Sequence, residues 1–303
     1  IRVEQDTDDA SAGTQANIIG GVNPTTDSYE GLQAFVGSKS IIGEEPKVLL
    51  APGFTHEKAV VDELITVAEE VRAVVIADCP GATDAEAKTY RDLFGSRRLI
   101  LMSPTVEVLD GEEVVTKPAS PLQAGIIAKL DAEKGFWWSP SNQVVLGVNG
   151  TTRPIDFKMG SATSRANLLN ASEITTIIQE KGFRVWGNRT CSDDPKWKFI
   201  SVVRTADILH DSLQQAHLWA VDKNITTGYI KSVTDSVNAY IRSLISVGAL
   251  AGGECWADPD KNTPADIANG SVTFSFDFSA TTPAEQVTFE STLTDEYYTS
   301  IFE

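Results

Sequence analysis

Three apolar segments of strand length recur in the first part of the chain, at residues 47–51, 73–77 and 99–102. Between one and the next lies a segment with apolar residues at helical spacing, and each such segment follows a Pro-Gly-x-Thr turn. Parallel strands need a crossover of about a dozen residues or more, which is usually a helix. The alternation therefore predicts a parallel α/β layer in which helices cover the strands.

The second of these turns carries a signal for the start of its helix. Thr83 and Glu86 have the spacing of a capping box, in which each side chain accepts a hydrogen bond from the backbone N–H of the other residue. The spacing predicts a helix over 84–94, which would connect the second strand to the third.

A different pattern follows the third apolar segment. Residues 106–109 and 114–116 alternate or run apolar around Asp110-Gly111, and this arrangement predicts a β-hairpin. A helix is expected next over 120–134, because apolar residues line one of its sides and Gly135 follows its end.

The second half of the chain has a different order of predicted strands and helices. Segments 183–190 and 197–202 flank a polar turn and are predicted to be strands. Helices are expected over 206–223 and 227–247. Strand alternation then returns, with apolar residues at every second position: Val272, Phe274, Phe276 and Phe278.

These patterns together predict an α/β plus α+β fold. A parallel α/β outer domain over 1–142 would precede an α+β domain over 143–303, in which two helices pack on an antiparallel sheet. Val287, Phe289 and Leu293 repeat the strand pattern, so a last strand is expected near the C-terminus. The chain starts at Ile1 without a methionine, and residues 1–4 have the pattern of a strand end. We therefore expect that part of the first domain is missing.

Charge and composition exclude several classes of partner. The formal net charge of −17 disfavours nucleic acid and anionic lipid, which are themselves negative. No apolar stretch reaches the roughly 18 residues that suggest a membrane span. The three cysteines are far apart and form no CxxC pair, so the sequence predicts neither a disulfide framework nor a zinc ribbon.

Candidate catalytic groups are sparse. His210 and His217 lie seven residues apart on a predicted helix, whereas a two-histidine helical metal site uses positions four apart. The turns at Gly53 and Gly81 could expose backbone N–H groups to an anion, but neither forms a nucleotide-binding motif. The sequence therefore predicts no cofactor and no metal. An α/β small-molecule enzyme acting at these turns remains an alternative function, but no cluster of catalytic residues in the sequence favours it.

Several segments rich in tryptophan and arginine resemble the contractile tail sheath proteins, closest to the short-sheath type of R-type pyocins and simple myophages. They are 136–142 (FWWSPSN), 150–154 (GTTRP), 164–170 (SRANLLN) and 186–190 (WGNRT). The resemblance extends through 219–226 (WAVDKNIT) and 257–260 (ADPD). The α/β half shares this resemblance over 50–53 (LAPG) and 94–99 (FGSRRL). The similarity covers nearly the whole chain.

The resemblance implies a structural subunit that polymerises around a tail tube and contracts to drive the tube through a target cell envelope. The implied partners are neighbouring sheath subunits, the tail tube protein, and baseplate and terminator proteins, with no nucleic acid and no membrane span. The implied location is the host bacterial cytoplasm during assembly and then the virion or released particle. Another phage tail or baseplate structural protein is the nearer alternative.

Members of this family join neighbouring subunits by strands that terminal arms add to small sheets, and the resemblance implies such an arm over about 287–303. Its apolar anchors would be Val287, Phe289, Leu293, Tyr297, Tyr298, Ile301 and Phe302. Tube contact in the family comes from the inner domain, and a helix with exposed charges is the expected device.

The helix predicted over 227–247 offers Lys231, Asp235 and Arg242 for tube contact. The alternative is a helix that docks by its apolar face and leaves these charges in solvent. Two explanations also remain for three arginines of the resembling segments. They could form ion pairs between subunits or elements, or they could hold the loops of their own domain together: Arg153, Arg165 and Arg189.

Overall fold

A computed structural model describes residues 12–302 of the chain. Its strands are β1 (Gly21–Val22), β2 (Tyr29–Glu30), β3 (Val48–Leu49), β4 (Val74–Asp78), β5 (Leu99–Met102), β6 (Val106–Asp110), β7 (Glu113–Lys117), β8 (Val148–Thr151), β9 (Ile174–Gln179), β10 (Phe183–Trp186), β11 (Leu250–Trp256) and β12 (Ser275–Ala280).

The helices are interleaved with these strands along the whole described part of the chain. They are α1 (Ala12–Ile19), α2 (Ser38–Ile42), α3 (Lys58–Val71), α4 (Asp84–Arg91), α5 (Ser120–Glu133), α6 (Arg165–Ala171), α7 (Ile200–Ala216), α8 (Thr227–Ser246) and α9 (Pro264–Ala268). Short 3-10 helices lie at Gly31–Phe35, Pro195–Trp197, Leu218–Ala220, Pro259–Lys261 and Glu296–Phe302.

The largest sheet has five strands in the order β10–β9–β5–β4–β3. Strands β3, β4, β5 and β9 are parallel, and β10 is antiparallel to β9. Helix α3 connects β3 to β4 and α4 connects β4 to β5, as the alternation predicts. The mixed α/β fold expected from the sequence is therefore confirmed.

Both faces of this sheet are covered. In β4, Val75 and Ala77 face a core that includes the apolar side of α3, while Val74 and Ile76 face a second core built with α5 and α7. Every residue of β4 is buried. A strand that is covered on both faces has no polar side, which explains why its sequence is a continuous apolar run.

Strands β6 and β7 form the predicted hairpin, and β8 pairs with the other side of β6. Val106 is buried against the second core, whereas Leu109 and Val114 lie opposite each other and are exposed.

A separate core lies near the C-terminus, where α7 and α8 pack on the antiparallel pair β11–β12. Phe274, Phe276 and Phe278 pack against this core, as their alternation predicts. Strand β11 has no comparable signal, because small and polar residues interrupt its apolar ones. Among residues 12–302, no helix combines the length and apolar character that crossing a membrane requires.

Two predicted strands are wrong. Residues 197–202 contain the end of a 3-10 helix and the first turn of α7 instead of a strand. A short apolar run cannot be assigned to a strand or a buried helix by period alone, and most of the first half of α7 is buried. The strand expected near 287–293 is also absent, since this segment forms no ladder with the rest of residues 12–302.

The division predicted between residues 142 and 143 stays a prediction. Strands β9 and β10 follow that point, yet they complete the sheet that β3, β4 and β5 begin. The strand end predicted at residues 1–4 lies outside the described residues.

Candidate assembly surfaces

The segment that follows β12 carries a row of exposed apolar side chains. It has no regular structure until the last 3-10 helix. The exposed fractions are 65% for Val287, 91% for Phe289, 100% for Leu293, 80% for Tyr297, 65% for Tyr298 and 68% for Ile301. The side chain of Phe302 lies outside the described part. Contiguous apolar exposure on this scale is characteristic of interaction sites.

The root of this segment, residues 281–285, is held against the body of the protein. The backbone N–H of Thr281 donates to the Ala249 carbonyl at 3.2 Å, and the Thr281 hydroxyl donates to the Gly248 carbonyl at 2.9 Å. Glu285, four residues after Thr281, accepts hydrogen bonds from Arg189 on both carboxylate oxygens, from Nε at 2.7 Å and from Nη2 at 2.9 Å. These hydrogen bonds lower the pKa of Glu285 and raise the pKa of Arg189.

The β11–β12 sheet has two strands, and no other strand within residues 12–302 pairs with either outer edge. One position on β11 is closed by a side chain, because Asn238 donates to the Cys255 carbonyl at 2.9 Å and accepts from its N–H at 2.8 Å. Unpaired edges present backbone donors and acceptors to any extended segment that comes alongside.

Helix α8 separates its charges from its apolar residues. Lys231, Asp235 and Arg242 are exposed and fall within about 40° of one another around the helix axis at 3.6 residues per turn. None of the three has an ion pair within the described residues. The opposite side of α8 packs into the C-terminal core through Val233, Val237, Ile241 and Leu244.

The three arginines of the resembling segments pair with carboxylates of the same chain. Arg153 and Arg165 converge on Asp84, at 3.0 Å and 2.6 Å, where α4 begins. The predicted capping box of Thr83 and Glu86 is present at this same helix start. The ion pairs fasten the segment between β8 and α6 to α4, and Arg189 fastens the root of the C-terminal segment.

The sequence carries little signal for the partners of these arginines. Glu285 lies 96 residues from Arg189, and Asp84 has the pattern of an ordinary first-turn helix residue. Asn238 gives no sequence signal for its bond to β11. An acidic residue in a helix first turn or a terminal segment has many possible partners, so only the chain path selects one.

The groups considered for catalysis do not converge. The Nδ1 atoms of His210 and His217 each lie within hydrogen-bonding distance of the carbonyl four residues earlier, at 2.5 Å and 2.7 Å. Within the part of the chain that the structure describes, no three His, Cys, Asp or Glu side chains gather closely enough to hold a metal ion. Burial raises the pKa of Cys191 to about 12, which makes its thiol a poor nucleophile.

Comparison with known proteins identifies the family. Residues 25–191 match the family described as phage tail sheath protein central domain, and residues 192–294 match the phage tail sheath C-terminal domain. The chain therefore belongs to the phage tail sheath protein family, as its sequence segments predict.

Individual relatives agree with this assignment. The chain is 42% identical to a putative prophage major tail sheath protein of Pseudomonas aeruginosa, over 94% of this chain and 74% of the relative. It is 34% identical to the tail sheath protein of Escherichia phage P2, over 99% of this chain and 77% of that protein.

Solved structures share the fold. The sheath complex of the extracellular contractile injection system PVC in its contracted state gives a TM-score of 0.71 at 20% identity, covering 89% of this chain and 77% of that one. The helical sheath of the anti-feeding prophage in its contracted state gives a TM-score of 0.69 at 23% identity, covering 86% and 74%. Together with the family assignment, these similarities make the chain a structural subunit of a contractile sheath.

Proposed function

We propose that this structural subunit polymerises around a tail tube and contracts to drive the tube through a target cell envelope. The observation that carries the proposal is the C-terminal segment, with six large apolar side chains exposed beside a body that has its own packed cores. Such a segment is suited to burial against another subunit. Membership of the sheath family supports this role.

Subunits would be joined by strand addition. Residues 287–294 have no regular structure, and their backbone can pair with the open edge of β11 or β12 in a neighbouring subunit. Backbone hydrogen bonds would supply continuity, and the apolar side chains would supply buried area. In such an assembly only the terminal segments would cross between subunits, so the bodies would be able to rotate while they remain connected.

The inner surface of the sheath would be formed by α8. Its charged stripe has two cations and one anion, and no partner within the described residues competes for them. An acidic surface on the tail tube is the partner that this stripe suits best. The baseplate and a terminator protein would contact the two ends of the assembled sheath.

Assembly would take place in the cytoplasm of the host bacterium, before the sheath becomes part of a virion or released particle. The similar structures are sheath and baseplate assemblies of other contractile systems, which supports a baseplate partner for this chain.

The arm can be tested by replacing two of its apolar side chains with acids at the native gene locus, as Phe289→Asp with Leu293→Asp. Burial of each side chain contributes about 1.5–3 kcal/mol, so subunit association should weaken by more than about tenfold. The measurement is the number of sheathed tails per cell in negative-stain electron micrographs.

The matched control replaces two apolar residues that are exposed outside the arm, as Val114→Asp with Leu146→Asp. Control cells should keep wild-type numbers of sheathed tails. Sheaths that form equally well with both arm substitutions would contradict the proposed role of the arm.

A further inference from the structure

The contact between Arg189 and Glu285 crosses between two parts of the chain. Arg189 belongs to the part matched by the central-domain family, and Glu285 belongs to the C-terminal one. The backbone around Arg189 is fixed, because Thr190 donates to the Lys198 carbonyl at 2.8 Å and Ile200 donates to the Asn188 carbonyl at 3.0 Å. Both Asn188 and Thr190 are buried. Glu285 therefore pairs with a guanidinium whose backbone is held in place on both sides.

After this ion pair the chain makes no polar contact with the described part of the body over the next eight residues, 286–293. Residues 281–285 are held at one end by Thr281 and at the other by Glu285. From 286 to 293, no side chain or backbone group forms a hydrogen bond, an ion pair or a ring contact with the rest of residues 12–302. Glu285, five residues beyond the end of β12, is thus the last residue held before this stretch of 286–293.

The pair combines directional geometry with modest strength. Two parallel hydrogen bonds from one planar guanidinium fix the orientation of the carboxylate as well as its distance. The side chains are 29% and 33% exposed, so water and salt reach them and weaken their attraction. Lys198 lies close enough to Glu285 to add a second positive field. An ion pair of this kind can fix the direction of the chain that follows Glu285 and can still break when a force acts on that chain.

We infer that Arg189 and Glu285 form a clasp that sets the direction in which the C-terminal arm leaves the subunit, with the arm pivoting after Glu285. The inference rests on the proposed role of the arm in joining subunits. It makes Arg189 a positioning residue, because it would act through the arm and would not itself contact the neighbouring subunit. It also ties the arm to the central domain, so that rotation of that domain would redirect the arm.

The test measures the distance between the arm and the body of the free subunit. Spin labels are attached to cysteines introduced as Lys196→Cys and Val287→Cys, which are both exposed positions. The partly buried native Cys79 is replaced by serine in every variant, whereas the buried Cys191 and Cys255 should remain unlabelled, and mass spectrometry checks the number of labels. Pulsed electron–electron double resonance then gives the distribution of distances between the two spin labels.

With the clasp intact, we expect one narrow distance distribution. Glu285→Gln should replace it with a broad one, and Arg189→Lys should do the same because an ammonium keeps the charge but loses the planar fork. Sodium chloride at about 1 M should broaden the distribution of the parent chain, since the Debye length falls to about 3 Å. The control Glu290→Gln, on an exposed acid beyond the pivot, should leave it narrow.

A swap of the two residues, Arg189→Glu with Glu285→Arg, should restore much of the narrow distribution if pairing itself is the cause. A distribution that stays narrow in both Glu285→Gln and Arg189→Lys would overturn the clasp. The outcome is separate from that of the sheath role. If the distance distribution stays unchanged in Glu285→Gln and Arg189→Lys and the protein forms sheaths normally, the clasp alone is refuted. If these substitutions broaden the distribution but the parent protein forms no sheath, the sheath role alone is refuted.

Discussion

One buried carboxylate joins the parallel sheet to the helix that covers it. Asp78 ends β4, and its Oδ1 atom accepts hydrogen bonds from the backbone N–H groups of Ala119 and Ser120, at 2.7 Å and 2.9 Å. Its Oδ2 atom accepts from the Ser120 hydroxyl at 2.5 Å. These bonds satisfy donors at the start of α5 that the helix itself leaves unpaired. Burial raises the pKa of Asp78, although its bonds to Ser120 and Ala119 act in the opposite direction.

Replacing this carboxylate should destabilise the fold. Asp78→Ala leaves buried donors without an acceptor, and we expect the free energy of unfolding to fall by about 2–4 kcal/mol. Asp78→Asn should lose less, because its amide oxygen can still accept from the backbone. Urea unfolding measures both, with the exposed Asp110→Ala as the control. Equal stability of Asp78→Ala and the control would show that the cap contributes nothing.

The same residue should give a pH dependence of known sign. Its pKa in the folded protein is raised, so between its unfolded and folded pKa values the folded state binds more protons than the unfolded state. Stability attributable to Asp78 therefore increases as the pH falls through the folded pKa. The free energy of unfolding of the parent chain, minus that of Asp78→Asn, should rise as the pH is lowered from neutrality; a constant difference would contradict the raised pKa.

At the scale of elements, the pairing of β11 with β12 depends on one glycine. A Cβ atom on Gly253 would lie 2.6 Å from the Asp277 carbonyl oxygen and 3.1 Å from the Phe278 Cα atom. Both are backbone atoms of β12, so the clash can be relieved only by moving the strand. Gly252 differs, because a Cβ atom there would meet nothing within 4 Å.

We therefore expect Gly253→Ala to lower the free energy of unfolding by about 1–3 kcal/mol, as overpacking does in other tightly packed sites. Gly252→Ala is the matched control and should change it much less. Urea unfolding gives the stabilities, and hydrogen exchange should show lost protection in β11 and β12. If the two alanine variants behave alike, close strand approach at Gly253 is not what limits this sheet.

Elements with a strong local period were predicted correctly from the sequence. The apolar run of β4, the capping box at Thr83 and the alternation of β12 each depend on neighbouring residues alone. Residues 197–202 failed because their apolar run fits a buried helix as well as a strand. β11 was missed because its sequence has almost no period, and it becomes a strand by pairing with β12.

For the whole molecule, the dominant electrostatic fact is a formal net charge of −17. Subunits with this charge repel one another, so apolar burial and backbone pairing must outweigh the repulsion during assembly. The charged stripe of α8 differs in sign from the chain as a whole. It has two cations and one anion, and none of the three has an ion-pair partner within residues 12–302. It is the surface that we propose for binding an acidic tube.

Reversing the cations of this stripe should impair tube binding. Lys231→Glu with Arg242→Glu replaces attraction to an acidic tube by repulsion, and mutation of such charges typically slows association and alters its salt dependence. Fewer tubes should carry sheath in electron micrographs, while the free subunit keeps its unfolding midpoint.

The control for that pair is Lys158→Glu with Lys181→Glu, which makes the same change in net charge at two exposed lysines elsewhere. If the control reduces sheathed tubes as much as the α8 variant, net charge and not the stripe is responsible.

The sequence by itself determined which local segments are strands or helices wherever the residue period was strong, and its tryptophan and arginine segments identified the family. Only the tertiary structure decided which distant groups meet: β9 beside β5, Arg153 and Arg165 on Asp84, and Arg189 on Glu285. The physical reason is that a period depends on neighbours along the chain, whereas the partner of a buried strand or a charge depends on the path of the whole chain.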